Sequence, residues 1–236
     1  PKEDRALWHQ DLDIKVVGEG ESVDILYWVG CISAYDKRKQ NIARSVSKIL
    51  NHIDADWGIL SERECCTGDP ARRLGDENLF HAQAKQSIAT IQTVKCNTIV
   101  THCPHCFNAL KNEFPQIAPL SENNKIKIIH HSEFIDDLLK QGKLKTNNNS
   151  LNTITFHDPC YLGRHNDVYD QPREILVQLG TKNIPEMKAN REKGLCCGAG
   201  GGHYFMDMKV GERANVQRVD QASETGADTI ATACPF

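Results

Sequence analysis

The stretch "NTIVTHCPHC" (97–106) decides the fold, because a strand-like apolar run leads directly into the two cysteines of a C-P-x-C motif. The same pattern returns as "DTIATACPF" (228–236), with threonine, isoleucine, threonine, cysteine and proline at matching positions. Agreement at several positions in a single register favours an internal repeat over chance. We therefore expect two related lobes, in each of which a strand ends at a cysteine.

The other cysteines repeat at matching intervals in the two halves. A single cysteine precedes an adjacent pair by 33 residues in the first half and by 35 in the second, and 36 residues then separate each pair from the C-P motif. The repeat cysteines are Cys31, Cys65, Cys66, Cys103 and Cys106 in the first half, and Cys160, Cys196, Cys197 and Cys234 in the second. The register predicts a further cysteine at the position after Phe236, so we expect the chain to be a fragment.

The repeat also predicts the domain organisation. Residues 1–22 form a polar lead-in, 23–140 the first lobe, and 151–236 the second lobe, which is truncated at its C-terminus. The segment "QGKLKTNNNS" (141–150) contains Gly, Asn and Ser and lacks apolar periodicity, which is typical of a linker. A chain of 236 residues is long enough for sizeable hydrophobic cores.

Short apolar runs alternate with helix-period segments along the chain. "VDILYWVGC" (23–31), "TIVTHC" (98–103) and "TITFHDPC" (153–160) predict buried strands that lead into cysteines. Apolar spacing predicts a helix in 36–53, and capping signals predict another in 132–142. This alternation predicts an α/β fold with two Rossmann-like lobes, parallel sheets and pseudo-twofold symmetry. Sites in such sheets lie beyond the carboxyl ends of the strands, which is where the cysteines follow.

Charge and cysteine content limit the function classes. Lys and Arg number 28 against 31 Asp and Glu, and the net charge of -3 comes without the basic stripe that binds phosphate backbones. Nucleic acid is therefore not an expected partner. No run reaches the roughly 18 apolar residues that span a bilayer, and no signal peptide is recognisable, so we expect a cytoplasmic location. Ten cysteines in such a chain indicate metal or redox chemistry rather than a disulfide scaffold.

The adjacent cysteines indicate the kind of metal group. Neighbouring cysteines seldom form a disulfide, because the bond needs a specific torsion and separation. A tetrahedral zinc site takes four ligands, whereas the first lobe offers five thiols. Adjacent thiolates can reach different irons of a polynuclear cluster, and glycine-rich backbone such as "CCGAGGGH" (196–203) offers N–H donors to its sulfurs. The doubled cysteine therefore favours an iron–sulfur cluster.

These features resemble a known family. The chain is similar to the CCG-domain, cysteine-rich iron–sulfur proteins related to the B and D components of heterodisulfide reductase, over about residues 23–236. It looks most like the C-terminal part of the membrane iron–sulfur oxidoreductases associated with electron-transfer flavoprotein. Besides the cysteine pattern, the segments that carry the resemblance are "CTGDPARRLG" (66–75), "VTHCPHCFNALKNEFPQ" (100–116), "HDPCYLGRHNDVYDQPREIL" (157–176) and "ERANVQRVDQASETGADTIATACPF" (212–236).

The resemblance implies an oxidoreductase subunit or fragment, inactive alone, that relays electrons between electron-transfer flavoprotein, or another redox subunit, and menaquinone. The parent protein would lie at the cytoplasmic face of a membrane and reach quinone through membrane segments outside this chain. The implied cofactors are two iron–sulfur clusters of the 4Fe-4S class, with the non-cubane form of heterodisulfide reductase as one option. The implied ligands are Cys31, Cys65, Cys66, Cys103, Cys106, Cys160, Cys196, Cys197 and Cys234. Reduction of a heterodisulfide or thiol substrate is the alternative within this class.

Two departures from the motif leave a zinc-stabilised structural or docking module as a second hypothesis, with zinc in one lobe. Thr67 stands where the CCG motif has glycine in the first lobe, and the second lobe has four thiols. His102 and His105 flank the C-P-x-C cysteines and could ligate zinc, although Ala233 takes the place of His102 in the repeat. The alternative for both histidines is a role outside the ligand set.

For several other residues the sequence allows either a functional role or a purely structural one. Cys96 lies outside the repeat, which predicts a small buried hydrophobe rather than a ligand. The side chains of His157 and Asp158 could either relay protons or cap the following turn. Arg72 and Arg73 could neutralise an anionic cluster, bind an acidic partner or form a solvated helix start.

Overall fold

The computed structural model describes residues 2–121, 125–146, 152–206 and 213–236. It confirms the α/β class, because helices and strands alternate and the strand pairings in the described part of the chain are parallel. The chain divides into two compact units, residues 1–131 with Pro235 and residues 132–234 with Phe236. The lobe boundaries and the pseudo-twofold symmetry stay predictions, and residues 147–150 of the expected linker lie outside the described residues.

A four-stranded parallel sheet forms the centre of the first unit. Its strands are β1 (Ser22–Trp28), β2 (Trp57–Gly58), β3 (Lys95–Thr101) and β4 (Lys127–His130), in the spatial order β2-β1-β3-β4. The two middle strands, β1 and β3, become continuously buried toward their carboxyl ends, which is the pattern of a sheet covered on both faces. Leu26 pairs with Ile99, and both side chains are fully buried. The strands that were predicted in 23–31 and 98–103 are thereby confirmed.

Short helices connect these strands. They are α1 (Cys31–Tyr35), α2 (Gln40–His52), α3 (Asp69–Arg73), α4 (Glu77–Gln92) and α5 (Pro104–Asn108), which continues as a π-helical segment over Ala109–Glu113. α2 confirms the helix predicted in 36–53 and buries Ala43, Val46 and Leu50 along one face. α4 begins after Asp76, whose side chain accepts a hydrogen bond from the Leu79 N–H at 2.9 Å.

The predicted lead-in contributes to the core of the first unit. Glu3–His9 forms a 3₁₀-helix that contacts α1 and α2, and the Trp8 side chain is only 1% exposed. Arg5, on the same helix, is also buried. The charged composition of this segment concealed its packing, because three consecutive apolar residues, Ala6, Leu7 and Trp8, among charged ones produce no periodic signal.

The second unit contains a parallel pair of strands. β5 (Ile154–His157) pairs with β6 (Thr229–Thr232) along its whole length. The α-helices described in this part of the chain are α6 (His131–Lys140), which begins at the last residue of the first unit, α7 (Asp170–Gln178) and α8 (Ala214–Ser223). The strand and the helix predicted in 153–160 and 132–142 are confirmed. Within the described residues, no helix is long and apolar enough to cross a membrane.

Candidate metal centre

The cysteines of the first unit lie where the carboxyl ends of β1 and β3 meet. Cys31 begins α1 three residues after β1, and Cys103 immediately precedes α5, two residues after β3. The pairing of Trp28 with Thr101 ends the two strands at the same level. Parallel neighbours therefore bring both cysteines to one edge of the sheet, as the sequence predicts. Cys106 follows in α5, and its side chain and that of Cys103 are buried.

Four thiols of the first unit interact with one another. Cys31 hydrogen-bonds the Cys66 sulfur, and Cys103 hydrogen-bonds Cys106. The hydrogen bond from Cys31 outweighs burial and, with the Gly68 N–H, lowers the pKa of Cys66 to about 7. The hydrogen bond to Cys66 and burial raise the pKa of Cys31 well above its usual value. The group therefore holds a thiolate near neutral pH, which is the form that binds metal.

Cys65 differs from its neighbour because its thiol faces α4. Its sulfur lies 2.9 Å from the Ser87 hydroxyl oxygen and donates a weak hydrogen bond to the Gln83 carbonyl oxygen at 3.8 Å. Burial raises the pKa of Cys65 against the lowering effect of Ser87. The adjacent cysteines thus have different partners, as adjacent ligands of a polynuclear centre would.

A buried ion pair joins the lead-in to the cysteine loops. Arg5 Nη1 donates to Glu64 Oε1 at 2.6 Å, and the two side chains are 5% and 2% exposed. The Glu64 carboxylate also accepts hydrogen bonds from the N–H groups of Val29 at 2.9 Å and Gly30 at 2.8 Å. One carboxylate therefore connects the segment before Cys31 to the residue that precedes the adjacent pair. Burial raises the pKa of Glu64 against the opposing charge of Arg5.

The two histidines of the C-P-x-C motif have protein partners. His102 accepts or donates hydrogen bonds at both ring nitrogens, to the Tyr27 hydroxyl at 2.6 Å and to the Ser33 hydroxyl at 2.7 Å. Burial lowers the pKa of His102 to about 3, so the ring is neutral. His105 Nδ1 lies 2.8 Å from an Asp69 carboxylate oxygen. These contacts support a role outside the ligand set.

Carboxylates engage both arginines of the first unit's α3. Arg73 pairs with Asp69 at 3.1 Å and with Glu113. Arg72 lies over the Phe80 ring, 4.6 Å from its centroid, and 3.4 Å from the second Glu113 oxygen. Both positive charges are thus matched by carboxylates of the protein itself.

The cysteines of the second unit form a comparable group. Cys160 follows β5 and Cys234 follows β6, so the carboxyl ends of two paired strands again precede cysteines. Cys196 shares hydrogen bonds with Cys160 and Cys197, and the negative charge of Cys234 acts on Cys197. The hydrogen bonds lower the pKa of Cys196, whereas the bond to Cys196 and burial raise those of Cys160 and Cys197.

Glycines after each adjacent pair donate backbone hydrogen bonds to sulfur. The Gly68 N–H donates to Cys66 Sγ at 3.4 Å, and the Gly198 N–H donates to Cys196 Sγ at 3.3 Å. Both glycines have positive φ, 82° and 79°, which favours glycine at these positions. Thr67 thus shifts the glycine by one residue in the first lobe, and the hydrogen bond moves from the first to the second cysteine of the pair.

His157 and Asp158 bind arginines in the second unit. Asp158 accepts two hydrogen bonds from Arg173, at 2.7 and 3.0 Å, and one from the Arg191 N–H at 2.7 Å. His157 Nδ1 accepts a hydrogen bond from Arg218 Nε at 2.8 Å, and burial lowers the pKa of His157 to about 4. Asp158 thus binds Arg173 and the Arg191 backbone, and these contacts are neither the predicted proton relay nor the predicted cap of the following turn.

The described residues fit a sulfur-bridged cluster better than a single metal ion. No three His, Cys, Asp or Glu side chains among them surround a point at which one ion could bind, so zinc gains no support. The buried N–H donor Arg218 Nη2, on a residue whose charge Cys197 stabilises, has no hydrogen-bond partner among the described residues. Cluster sulfides accept hydrogen bonds from such groups. A Cβ on Gly30 would lie 3.2 Å from Cys106 Sγ, which shows how closely the backbone approaches sulfur.

Several residues around the thiols escaped the sequence argument. The position of Glu64 directly before the adjacent cysteines was the one sequence feature that could have indicated its role. Arg5 lies in a segment without periodicity, so no sequence feature pointed to it. Ser87 and Arg218 were hidden in helices. Cys96, by contrast, lies buried on β3, and burial raises its pKa to about 11, which confirms the prediction of a buried hydrophobe.

Comparisons with known proteins agree with the cysteine pattern. The profile of the CCG family, a cysteine-rich domain, matches residues 25–111 and 154–236. A probable iron-sulfur-binding oxidoreductase, FadF, of Bacillus subtilis is 43% identical over 218 residues, which are 92% of this chain and 30% of that protein. An EtfAB:quinone oxidoreductase of Syntrophomonas wolfei is 36% identical over 92% of this chain and 31% of that protein.

A third relative comes from a methanogen. It is a component of the dihydromethanophenazine:CoB–CoM heterodisulfide reductase of Methanosarcina acetivorans, and it is 31% identical over the whole chain, which spans 56% of that component. The chain therefore spans between about a third and just over half of the length of these relatives.

Proposed function

The chain belongs to the CCG family of cysteine-rich domains, and on that premise we propose that it is the iron–sulfur electron-transfer module of a heterodisulfide reductase-like oxidoreductase. One observation carries the proposal, which is the grouping of thiols at the ends of parallel strands within both matched ranges. Each group contains an adjacent pair that receives a glycine N–H hydrogen bond. Such a donor set suits a sulfur-rich cluster, because N–H groups stabilise the negative charge on its sulfurs.

The proposed ligands are the repeat cysteines, and the proposed cofactors are two 4Fe-4S clusters. In the first lobe the ligands are Cys31, Cys65, Cys66, Cys103 and Cys106, and in the second they are Cys160, Cys196, Cys197 and Cys234. A cluster of this kind supplies one-electron transfer when it is bound. The contact of Cys65 with Ser87 leaves two options for the first lobe, a four-cysteine cluster or a five-cysteine, non-cubane one.

The remaining residues of the site would hold and shield such a group. Burial of Cys103 and Cys106 excludes water from one side of the first-lobe thiols. The Arg5–Glu64 pair fixes the loop before Cys31 against the loop of the adjacent cysteines. These contacts hold the ligand loops in place, because buried charge pairs with several hydrogen bonds have few alternative geometries.

The redox partners follow from the relatives rather than from the site. A relative named an EtfAB:quinone oxidoreductase supports transfer between electron-transfer flavoprotein and a quinone. We propose that this transfer takes place within a longer parent protein at the cytoplasmic face of a membrane. The heterodisulfide reductase relative supports a second candidate, two-electron reduction of a disulfide to two thiols at the cluster. Both candidates use the same thiolates as metal ligands.

Metal analysis of protein produced without oxygen tests the proposal. We expect about four irons and a matching amount of sulfide per lobe, with an EPR signal that changes on oxidation or reduction. Cys103→Ser and Cys234→Ser should each lose the iron of one lobe, whereas Cys96→Ser, a cysteine outside both groups, should retain all of it. Cys65→Ser distinguishes the two options for the first lobe. Stoichiometric zinc without iron would refute the proposal.

A second measurement separates the two candidate activities. Dithionite-reduced protein is mixed with oxidised electron-transfer flavoprotein or with a disulfide, and the EPR signal is followed. Rapid reoxidation by the flavoprotein alone favours the relay, and stoichiometric release of thiol from the disulfide favours the reductase.

A further inference from the structure

Arg218 occupies the position in the second repeat that Ser87 occupies in the first. An offset of 131 residues relates the adjacent cysteines and the C-P cysteine of one half to those of the other, and it also relates Ser87 on α4 to Arg218 on α8. Ser87 contacts the sulfur of Cys65 at 2.9 Å. The repeat therefore predicts that Arg218 faces the adjacent pair of the second unit.

Arg218 is buried, and three of its possible hydrogen bonds are satisfied by the protein. Its side chain donates to His157 Nδ1 at 2.8 Å, to the Ala189 carbonyl oxygen at 2.7 Å and to Gln221 Oε1 at 2.9 Å. The residue is 4% exposed, yet within the described ranges its Nη2 atom has no hydrogen-bond acceptor. A buried donor without an acceptor is costly, so this geometry indicates an acceptor that belongs to the site.

The electrostatic environment indicates where that acceptor lies. Among the groups that stabilise the charge of Arg218, Asp158 comes first and the sulfur of Cys197 second, and the sulfur of Cys196 acts on the adjacent His157. The guanidinium thus lies within electrostatic range of the adjacent cysteines. His157 accepts the hydrogen bond as a neutral ring and does not cancel the positive charge.

The two thiol groups differ in how nearby charges are balanced. In the first unit Arg5 is neutralised by Glu64, and the Ser87 contact carries no charge. In the second unit Arg173 engages both Asp158 and Glu186, so the carboxylates near Arg218 are already paired. Asp158 and Glu186 therefore act on both Arg173 and Arg218, and Cys197 supplies the sulfur that also stabilises the charge of Arg218.

We propose that Arg218 is a positioning residue of the second-lobe centre, that its Nη2 donates a hydrogen bond to a sulfur of that centre, and that its charge makes this centre more easily reduced than the first. The inference rests on the proposed function. Reduction adds one electron, and hence negative charge, to an anionic centre, and a nearby cation with an N–H donor stabilises the reduced form. Hydrogen bonds and net charge are among the factors that set cluster potential.

Redox titration of the iron-loaded protein tests the inference. Dithionite is the reductant, EPR follows both centres, and Cys234→Ser identifies the signal of the second. In Arg218→Gln we expect the ratio of reduced to oxidised second centre, at a fixed potential, to fall at least tenfold, a shift of about 59 mV for one electron. Arg218→Lys should recover part of the shift because it keeps the charge. The first centre should not change in either variant.

Arg213→Gln is the matched control, because Arg213 is exposed and directly precedes α8. It removes a charge of the same sign just before the same helix, and we expect no shift. If Arg218→Gln loads iron and its second centre keeps the wild-type reduction potential, this inference is overturned and the proposed function is not. Wild-type protein with zinc and no iron would overturn the proposed function as well.

If Arg218→Gln fails to load iron, a spectroscopic measurement tests the inference instead. In wild-type protein labelled with [15N]arginine, pulsed EPR should detect 15N coupled to the second centre. The coupling should disappear in Arg218→Lys and remain in Arg164→Lys, since Arg164 Nη1 is committed to the Gly194 carbonyl oxygen at 2.7 Å. No coupling in the wild type would overturn the inference.

Discussion

Replacing Arg5 by methionine would leave the Glu64 carboxylate buried without its counter-ion. The methionine keeps much of the apolar stem of Arg5, so the change removes mainly charge and the 2.6 Å hydrogen bond to Glu64 Oε1. The N–H groups of Val29 and Gly30 continue to donate to the carboxylate. The variant therefore measures how strongly the ion pair stabilises the first unit.

Two free energies bound the loss of stability that we expect in this variant. Breaking a buried pair by removing one partner costs roughly 3–5 kcal/mol. Glu64 can escape that penalty by taking up a proton, which at pH 7 costs about 3.4 kcal/mol for a carboxyl group with an ordinary pKa of 4.5. We therefore expect the variant to lose about 3 kcal/mol in the free energy of unfolding at pH 7.

The pH dependence follows from the direction of the Glu64 pKa. Burial raises that pKa in the folded protein, and loss of Arg5 raises it further, because the charge of Arg5 acts to lower it. Above pH 4.5 the folded variant thus binds a proton that the unfolded chain has released, so its stability falls as the pH rises. The loss relative to wild type should therefore shrink as the pH falls from 7 to 5, by at most about 1.4 kcal/mol for each pH unit.

Urea unfolding of the reduced, metal-free chain at pH 7 and pH 5 measures these quantities. Tryptophan fluorescence reports on the first unit, because Trp8, Trp28 and Trp57 all belong to it. Arg44→Met is the control, since Arg44 forms its ion pair with the exposed Asp11, and we expect no change in stability. A loss of the same size at both pH values would refute the electrostatic argument and assign the effect to packing.

Three further predictions concern single residues of the first unit. Gly30→Ala should lower its iron content and cost roughly 1–3 kcal/mol in urea unfolding, because φ of 79° and ψ of 162° favour glycine and a Cβ would meet Cys106 Sγ at 3.2 Å. Ser87→Ala removes a hydrogen bond that lowers the pKa of Cys65, so alkylation of that thiol in metal-free protein, followed by mass spectrometry, should slow roughly two- to tenfold. His131→Gln should flatten the pH dependence of urea unfolding. Burial lowers the pKa of His131 to about 4, so between pH 6.5 and pH 4 only the unfolded chain binds this proton, and stability falls by about 1.4 kcal/mol for each unit of acidification.

Each of these variants has a matched control. Gly75→Ala shares a positive φ, but a Cβ there meets nothing within 4 Å, so it should keep its iron; a Gly30 variant with full iron would contradict the first prediction. Ser45→Ala removes an exposed helical hydroxyl and should leave alkylation unchanged, and unaltered or faster alkylation in the Ser87 variant would refute the second. His81→Gln changes an exposed imidazole and should keep the wild-type slope; an equally steep slope in the His131 variant would be decisive against the third.

Local pattern was enough to predict most of the central elements. The apolar run in 23–31 and the helical spacing in 36–53 became β1 and α2, because burial of a strand or of one helix face depends on near neighbours in sequence. The same approach failed for Glu3–His9, where one buried tryptophan and one buried arginine carry no period. The helix predicted in 132–142 was found, but its division between the units was not foreseen.

The sequence by itself determined the repeat, the α/β class and the presence of cysteines at the ends of strands, because these follow from spacing and short-range periodicity. The tertiary structure alone decided which groups surround the sulfurs. Arg5 reaches Glu64 across 59 residues, and Arg218 reaches His157 across 61. Such pairs depend on how strand order and helix packing fold distant segments together, so no local pattern records them. Tertiary packing also places Ser87 beside one adjacent pair and, at the matching position of the second repeat, a buried arginine whose Nη2 has no acceptor among the described residues.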